Sequence, residues 1–102
     1  MNDLMREMAN APRGRLTLGD REFPLVELNW NDYCAMEDEF GKDPREWRGM
    51  RASRFLLWLG LRKSDPSLTP EQVGELVTAS SFERVADAID ALMGSEDDSK
   101  NG

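Results

Sequence analysis

A short apolar run near the middle of the chain limits most strongly how this sequence can fold. Residues 55–61 are all apolar apart from Gly60, and the basic pair Arg62-Lys63 follows them. The run is far shorter than the roughly 20 residues needed to cross a bilayer, so the rest of the chain must bury it. A chain of 102 residues has room for one core and not for a second domain. The run therefore predicts the central helix of one small domain.

The segment before this run favours a helix that begins well upstream. Asp43-Pro44 has the pattern of an N-cap residue followed by proline at the first helical position, which predicts one helix from there to about Lys63. Within it, Trp47, Met50, Phe55, Trp58 and Leu61 fall near one stripe. Gly60 costs about 1 kcal/mol relative to alanine in a helix interior. Either the helix bends at Gly60 or another backbone packs closely against it.

Two further helices are predicted after the central run. Thr69-Pro70-Glu71-Gln72 combines an N-cap, a first-turn proline and a capping-box glutamine. Ser80 and Glu83 have the spacing of a second capping box, and apolar residues then recur three and four positions apart. Together these helices predict a core formed by Trp47, Phe55, Trp58, Leu61, Val73, Leu76, Phe82, Val85, Ile89 and Leu92.

The N-terminal third predicts a hairpin and a short helix. Residues 15–18 and 21–25 alternate apolar and polar side chains around the turn pair Gly19-Asp20, and Pro24 indicates an edge strand. Residues 29–32 offer several N-cap candidates for an acidic helix over residues 33–40, which Gly41 would end. The predicted fold class is α+β and mainly α, with a hairpin followed by about four helices.

The two ends of the chain are predicted to lie outside this domain, which we place at residues 14–94. Residues 1–13 form a flexible arm in this interpretation, because Pro12 and Gly14 end any helix quickly. Residues 95–102 contain no apolar side chain and predict a disordered acidic tail. The first residues lack the pattern of a secretory signal, so we expect a cytoplasmic protein that has no membrane partner.

The residue types argue against a catalytic or metal site. Zinc and most redox-metal sites need histidine or several cysteines, and the chain has no histidine and one cysteine. Cys34 stands among acidic residues, without the basic neighbour that a cysteine nucleophile needs. Glu37, Asp38 and Glu39 are consecutive, so on a helix they point in different directions. We expect no enzyme activity, no cofactor and no metal.

A row of arginines raises the question of nucleic-acid binding. Arg45, Arg48, Arg51 and Arg54 recur every three residues and could grip phosphates. The net charge of −7 opposes that interaction over the whole molecule, and the predicted acidic helix is a nearby partner for the row. Binding to nucleic acid is therefore not expected.

Apolar residues of the N-terminal third are the candidate contacts for a partner or for self-association. Trp30 is either a hydrophobic staple onto the acidic helix, which we favour, or an anchor for a partner. The set of possible contacts comprises Leu16, Leu18, Phe23, Leu25 and Trp30.

With its segments in this order, the chain resembles the tail assembly chaperones of long-tailed, siphovirus-type bacteriophages and related proteins of gene transfer agents. The resemblance covers about residues 14–78: the hairpin, the phrase LNWND at 28–32 with its acidic helix, and the core segment. Its most specific part is WLGLRKSDPSLTPEQVGEL at 58–76. It implies a non-enzymatic protein that binds the tape measure protein, keeps it soluble and recruits tail tube subunits. It also implies self-association, action in the cytoplasm of a bacterial host, and absence from the finished virion.

A second interpretation is an acidic inhibitor that mimics DNA and blocks a nuclease or regulator, encoded by a mobile element. Such mimics need acidic side chains arrayed along a surface with few bases between them. Here 13 basic residues are mixed with 20 acidic ones, which dilutes the array. Co-purification with a long helical tail protein would favour the chaperone, and salt-sensitive binding to a DNA-processing enzyme would favour the inhibitor.

Overall fold

The computed structural model describes residues 12–94, with side chains from residue 14 onward. The described part confirms the predicted α+β class, because a hairpin precedes four α-helices. The hairpin consists of β1 (Pro12–Leu18) and β2 (Arg21–Val26). The helices are α1 (Trp30–Phe40), α2 (Gly49–Leu61), α3 (Pro70–Leu76) and α4 (Phe82–Leu92), and short 3-10 helices occupy Pro44–Glu46 and Ala79–Ser81.

The chain ends bear on the predicted arm and tail. Strand β1 begins at Pro12, two residues before the predicted start of the domain, so residues 12 and 13 belong to the hairpin and not to the predicted arm. The prediction of a flexible arm for residues 1–11 and of a disordered tail for residues 95–102 lies outside the described residues. In the part that the structure describes, no helix combines the length and the apolar character that crossing a membrane requires.

The hairpin supplies one wall of the core. Its strands pair antiparallel with Leu16 opposite Phe23, and the turn places Gly19 at φ 64°. Strand β1 packs on α4, and β2 packs on α2 and α4. A two-stranded hairpin is marginal on its own, so its apolar face is covered by these helices. Buried there are Leu16, Leu18, Phe23 and Leu25, and the prediction that these four contact a partner is wrong.

Helix α1 begins with a capping box that also ties it to the end of α2. The Asn29 side chain accepts a hydrogen bond from the Asp32 N–H at 3.1 Å, and the Asp32 carboxylate accepts one from the Asn29 N–H at 2.8 Å. The same carboxylate is 2% exposed and lies 2.7 Å from Lys63 Nζ and 3.4 Å from the Arg62 guanidinium. At the other end, the predicted stop at Gly41 is confirmed, with φ 98°.

The single helix predicted from Pro44 to Lys63 is wrong, because the segment is divided. Asp43 accepts a hydrogen bond from the Arg45 N–H at 3.0 Å and starts only the 3-10 helix. Trp47 Nε1 donates to the Gly41 carbonyl at 2.9 Å, which holds this turn against the end of α1. Gly49 then adopts φ 87° where α2 begins, a left-handed conformation that glycine adopts without steric cost.

The predicted core is confirmed at three positions, lies at the edge of the core at six, and is wrong at one. Leu61, Val73 and Leu92 are buried, whereas Phe82 is 49% exposed and does not belong to the core. The other predicted residues are half-buried and pack against the core: Trp47, Phe55, Trp58, Leu76, Val85 and Ile89. Trp58 sits at the core boundary, where its Nε1 donates to the Leu68 carbonyl at 2.8 Å.

Helices α2 and α4 approach each other closely at Gly60. Helix α2 continues through Gly60 to Leu61. An added Cβ there would lie 2.6 and 2.7 Å from the two Cδ atoms of Leu92. The close neighbour is thus a side chain of α4, where the sequence suggested a bend or a packed backbone.

Helix α3 starts as predicted, and α4 does not. Thr69 Oγ1 accepts a hydrogen bond from the Gln72 N–H at 3.1 Å, and Gln72 Oε1 accepts one from the Thr69 N–H at 2.9 Å. The capping box predicted from Ser80 to Glu83 is wrong. The N-cap of α4 is Ser81, the last residue of the preceding 3-10 helix. Its hydroxyl accepts a hydrogen bond from the Thr78 N–H and donates one to the Thr78 carbonyl.

Candidate functional site

An open groove between α2, α3 and α4 is the candidate site. Its volume is about 470 Å³, and most of its surface is apolar. Ser53 and Arg54 supply side-chain polar atoms at one wall. The lining residues are Met50, Ser53, Arg54, Val73, Gly74, Val77, Phe82, Val85, Ala86 and Ile89.

Helix α4 forms one wall of the groove. Phe82, Val85, Ala86 and Ile89 follow the i, i+3, i+4, i+7 spacing of a single helix face. The adjoining face carries Ala88 and Leu92, which are buried, so α4 is apolar toward both the core and the groove. Sequence reasoning assigned the whole apolar surface of α4 to the core, because spacing alone does not divide a wide apolar face.

The opposite wall comes from the start of α2 and from α3. Met50 is 76% exposed, which corrects its predicted place on the inner stripe. A methionine side chain is flexible and polarisable, and it adapts to ligands of different shape. Helix α3 has only seven residues, about 10 Å of length, and forms a side of the groove without closing it. Two large apolar side chains, Met50 and Phe82, are thus left partly in solvent at the groove.

Arg54 is the charged residue of the groove lining, and its environment is unusual. Its guanidinium Nε is buried and has no hydrogen-bond partner among the described residues. A Cβ added at Gly74 would lie 3.1 Å from Arg54 Cδ, so the stem of the arginine occupies the space that this glycine leaves. A buried donor without a partner loses its hydrogen bonds to water and gains none in return.

The arginine row does not act as one unit. Arg51 lies 3.5 Å from Glu39 of α1, which confirms the expected pairing with the acidic helix for this residue. Arg45 precedes α2 and pairs with Asp43 at 3.0 Å. Arg54 turns to the groove. Arg45, Arg51 and Arg54 therefore do not present their guanidinium groups together, as a phosphate grip would require.

Trp30 is the most exposed aromatic residue of the described chain. It is the first residue of α1, directly after the N-cap Asn29, and it is 83% exposed. The favoured interpretation as a staple onto the helix is therefore wrong. The alternative, an anchor for a partner, stays a prediction. Cys34, one turn later, is exposed as well.

Displaced pKa values mark structural contacts away from the groove. Hydrogen bonds from Ser67 and Arg21 lower the pKa of Asp65, and hydrogen bonds from Arg45 lower the pKa of Asp43. Burial raises the pKa of Tyr33, with a smaller effect from nearby carboxylates. Among the described residues, no three histidine, cysteine or acidic side chains cluster in a way that could hold a metal ion.

The groove thus offers apolar walls and one arginine whose Nε is buried, a combination suited to binding an amphipathic segment. Comparison of the chain with protein-family models, with curated proteins and with solved structures gives no match.

Proposed function

We propose that this protein is a phage tail assembly chaperone, which binds the tape measure protein, keeps it soluble and recruits tail tube subunits. The observation that carries the proposal is the open apolar groove with Met50 and Phe82 exposed at its walls. The sequence resemblance over residues 14–78 supports the same role. In this proposal the protein is non-catalytic, acts in the cytoplasm of the bacterial host, and is absent from the mature virion.

The groove suits a helical client. The resemblance implies a tape measure protein that is long and largely helical, and in this proposal the groove covers an apolar face of its helices. Grooves between helices bind such faces through side chains spaced i, i+3, i+4 and i+7. The wall from Phe82 to Ile89 spans about 10 Å, or about two turns of a client helix. A long client would therefore need many chaperone subunits side by side, which fits the self-association that the resemblance implies.

The charge distribution supports a role in solubility. The chain carries a net charge of −7, and copies bound along one client would repel other coated clients and so resist aggregation. The acidic-inhibitor interpretation receives less support, because bases accompany the acids of α1. Asp32 is paired with Lys63 at 2.7 Å, and Glu39 with Arg51 at 3.5 Å.

The direct test is co-expression with the longest open reading frame downstream of the gene, followed by pull-down and light scattering. We expect a soluble complex that contains the client, and aggregation of the client when this chain is omitted. A client that is equally soluble alone, or that never co-purifies, would refute the proposal. Salt-sensitive recovery of a DNA-processing enzyme instead would favour the acidic inhibitor.

Two methionine variants locate the contact on the surface. Met50→Ser removes an apolar side chain from the groove, and Met93→Ser removes one that is 40% exposed and does not line it. Surface substitutions usually change stability by no more than about 0.5 kcal/mol, so both variants should unfold close to the wild type. Met50→Ser should lower client recovery and Met93→Ser should not. Equal recovery with both would remove the groove from the proposal.

A further inference from the structure

We propose that the groove recognises a carboxylate on the apolar face of the incoming helix, and that Arg54 binds it. This inference rests on the proposed function and deepens it, because it states the chemistry of the segment that the groove selects. The occupant is a partner helix with an apolar stripe interrupted by one aspartate or glutamate.

The first support is the unsatisfied state of Arg54. Its buried Nε has no hydrogen-bond partner among the described residues, whereas Arg21, Arg45, Arg51 and Arg62 each reach a carboxylate within them. Buried polar groups in proteins are nearly always hydrogen-bonded. Arg54 lines an open groove with this donor unsatisfied, so a ligand that brings a carboxylate to its guanidinium would give the arginine a partner that the described residues do not provide.

The second support is the space provided for this side chain. Gly74 lies within α3, where glycine is less favourable than alanine. A Cβ at that position would lie 3.1 Å from Arg54 Cδ and 3.9 Å from one of its terminal guanidinium nitrogens. The glycine thus allows the arginine to lie along α3 at the groove, with its apolar stem covered and its head among the groove residues.

The third support is the match between the groove and such a ligand. Valine, isoleucine and phenylalanine side chains line the same groove as Arg54, so a ligand must bring apolar surface together with its anion. A planar guanidinium binds a carboxylate through two parallel hydrogen bonds. In apolar surroundings this pair discriminates strongly against a neutral amide, because glutamine leaves the arginine charge unpaired. A second copy of the chain is the competing occupant of the groove, and light scattering of the protein alone tests for it.

The test uses designed amphipathic peptides labelled with a fluorophore. Each has about 18 residues, longer than the roughly 15 below which isolated helices are marginal, and carries a leucine stripe. One set places a single glutamate at successive positions within the stripe, and a matched set has glutamine there. Binding to the full chain is measured by fluorescence anisotropy, and light scattering records whether the protein alone is a monomer.

We expect at least one glutamate peptide to bind about tenfold more tightly than its glutamine counterpart, the usual effect of one hydrogen bond to a charged group. Arg54→Gln should abolish this preference. Arg45→Gln makes the same change of charge outside the groove and should preserve it. Circular dichroism of both variants checks that the fold is retained, and Arg54→Lys should restore part of the preference because it keeps the charge.

Three results would overturn the inference: equal affinity for every glutamate and glutamine pair, a preference that persists in Arg54→Gln, or a dimer of the protein alone that Arg54→Gln dissociates. Failure here is distinguishable from failure of the chaperone role. If the downstream protein co-purifies with the wild type and with Arg54→Gln alike, the chaperone proposal stands and the carboxylate inference falls. If peptides show the preference and no downstream protein co-purifies, the reverse holds.

Discussion

The contact between Gly60 and Leu92 provides a sharp test of the packing of α2 against α4. Gly60→Ala would place a Cβ 2.6 and 2.7 Å from the Cδ atoms of Leu92 and 3.1 Å from its Cγ. Distances below 3.0 Å are not tolerated, so a side chain must move. Leu92 is fully buried, and the protein interior is too densely packed to give it another position without strain.

The expected magnitude combines two opposing terms. Overpacking a core by one methyl group costs about 1 to 3 kcal/mol, and replacing a helical glycine by alanine returns about 1 kcal/mol. Gly60→Ala should therefore destabilise the fold by up to about 2 kcal/mol. Leu92→Ala, which removes a fully buried side chain, should cost about 2 to 5 kcal/mol.

The double variant carries the decisive prediction. With Leu92 shortened to alanine, the space beside Gly60 is empty, so the clash disappears and only the helix-propensity gain remains. Gly60→Ala should then stabilise the protein by up to about 1 kcal/mol, a reversal of sign relative to the wild-type background. Urea unfolding followed by tryptophan fluorescence measures all four proteins. Ala86→Gly, at an exposed position of α4, measures the helix-propensity term separately.

A contrary result is simple to recognise. If Gly60→Ala changes the free energy of unfolding equally in both backgrounds, within about 0.5 kcal/mol, the two residues are not coupled. The described packing of α4 on α2 would then be incorrect. Thermal unfolding offers a second reading, since 1 kcal/mol shifts the Tm of a domain this size by about 4 to 8 °C.

Three further predictions concern the polar contacts that position the helices. Thr69→Ala should lower stability by about 1 kcal/mol in urea unfolding, because it removes the N-cap of α3, and Thr69→Ser should retain most of it. Asp32→Asn should lower stability by about 1 to 2 kcal/mol at neutral pH, because it removes the buried negative partner of Lys63 and Arg62. The partial exposure of Lys63 limits this loss, and an unchanged urea midpoint would contradict the prediction. Asp65→Asn should be less stable than the wild type above the ordinary aspartate pKa of 3.8. Hydrogen bonds from Ser67 and Arg21 lower the pKa of Asp65 in the folded state, so the stability difference should disappear as the pH falls below 3.8 and through the folded pKa. Urea midpoints measured across this range test it, and a difference that persists at the lowest pH would contradict the prediction.

The elements that sequence reasoning located correctly are those with local chemical causes. The box of Thr69 and Gln72, the stop at Gly41 and the turn at Gly19 all involve groups within four residues of one another. Such contacts form wherever the rest of the chain happens to pack. Sequence reasoning missed the break between Pro44 and Gly49 because an N-cap residue followed by proline can also start a 3-10 helix. The contact that holds this turn, from the Trp47 indole to the Gly41 carbonyl, is not visible in the local pattern.

The groove was not predictable in the same way. Phe82, Val85 and Ile89 have the spacing of a core helix, and only the arrangement of α2, α3 and α4 makes one of them half-exposed and places all three at an open surface. The isolation of Arg54 is equally a tertiary property. The sequence does not distinguish Arg54 from the other arginines of the row. The one sequence feature related to its position is Gly74, a glycine inside α3 twenty residues later.

For this protein, the sequence alone determined the fold class, the hairpin turn, the start of α3 and the existence of a single core. Tertiary structure decided which apolar surfaces fill that core. Leu16 and Phe23 became core residues because a lone hairpin must be covered by helices, and Phe82 was left at the groove because α3 is too short to cover it. Hydrogen bonds between near neighbours are encoded locally, whereas burial depends on which distant surfaces meet.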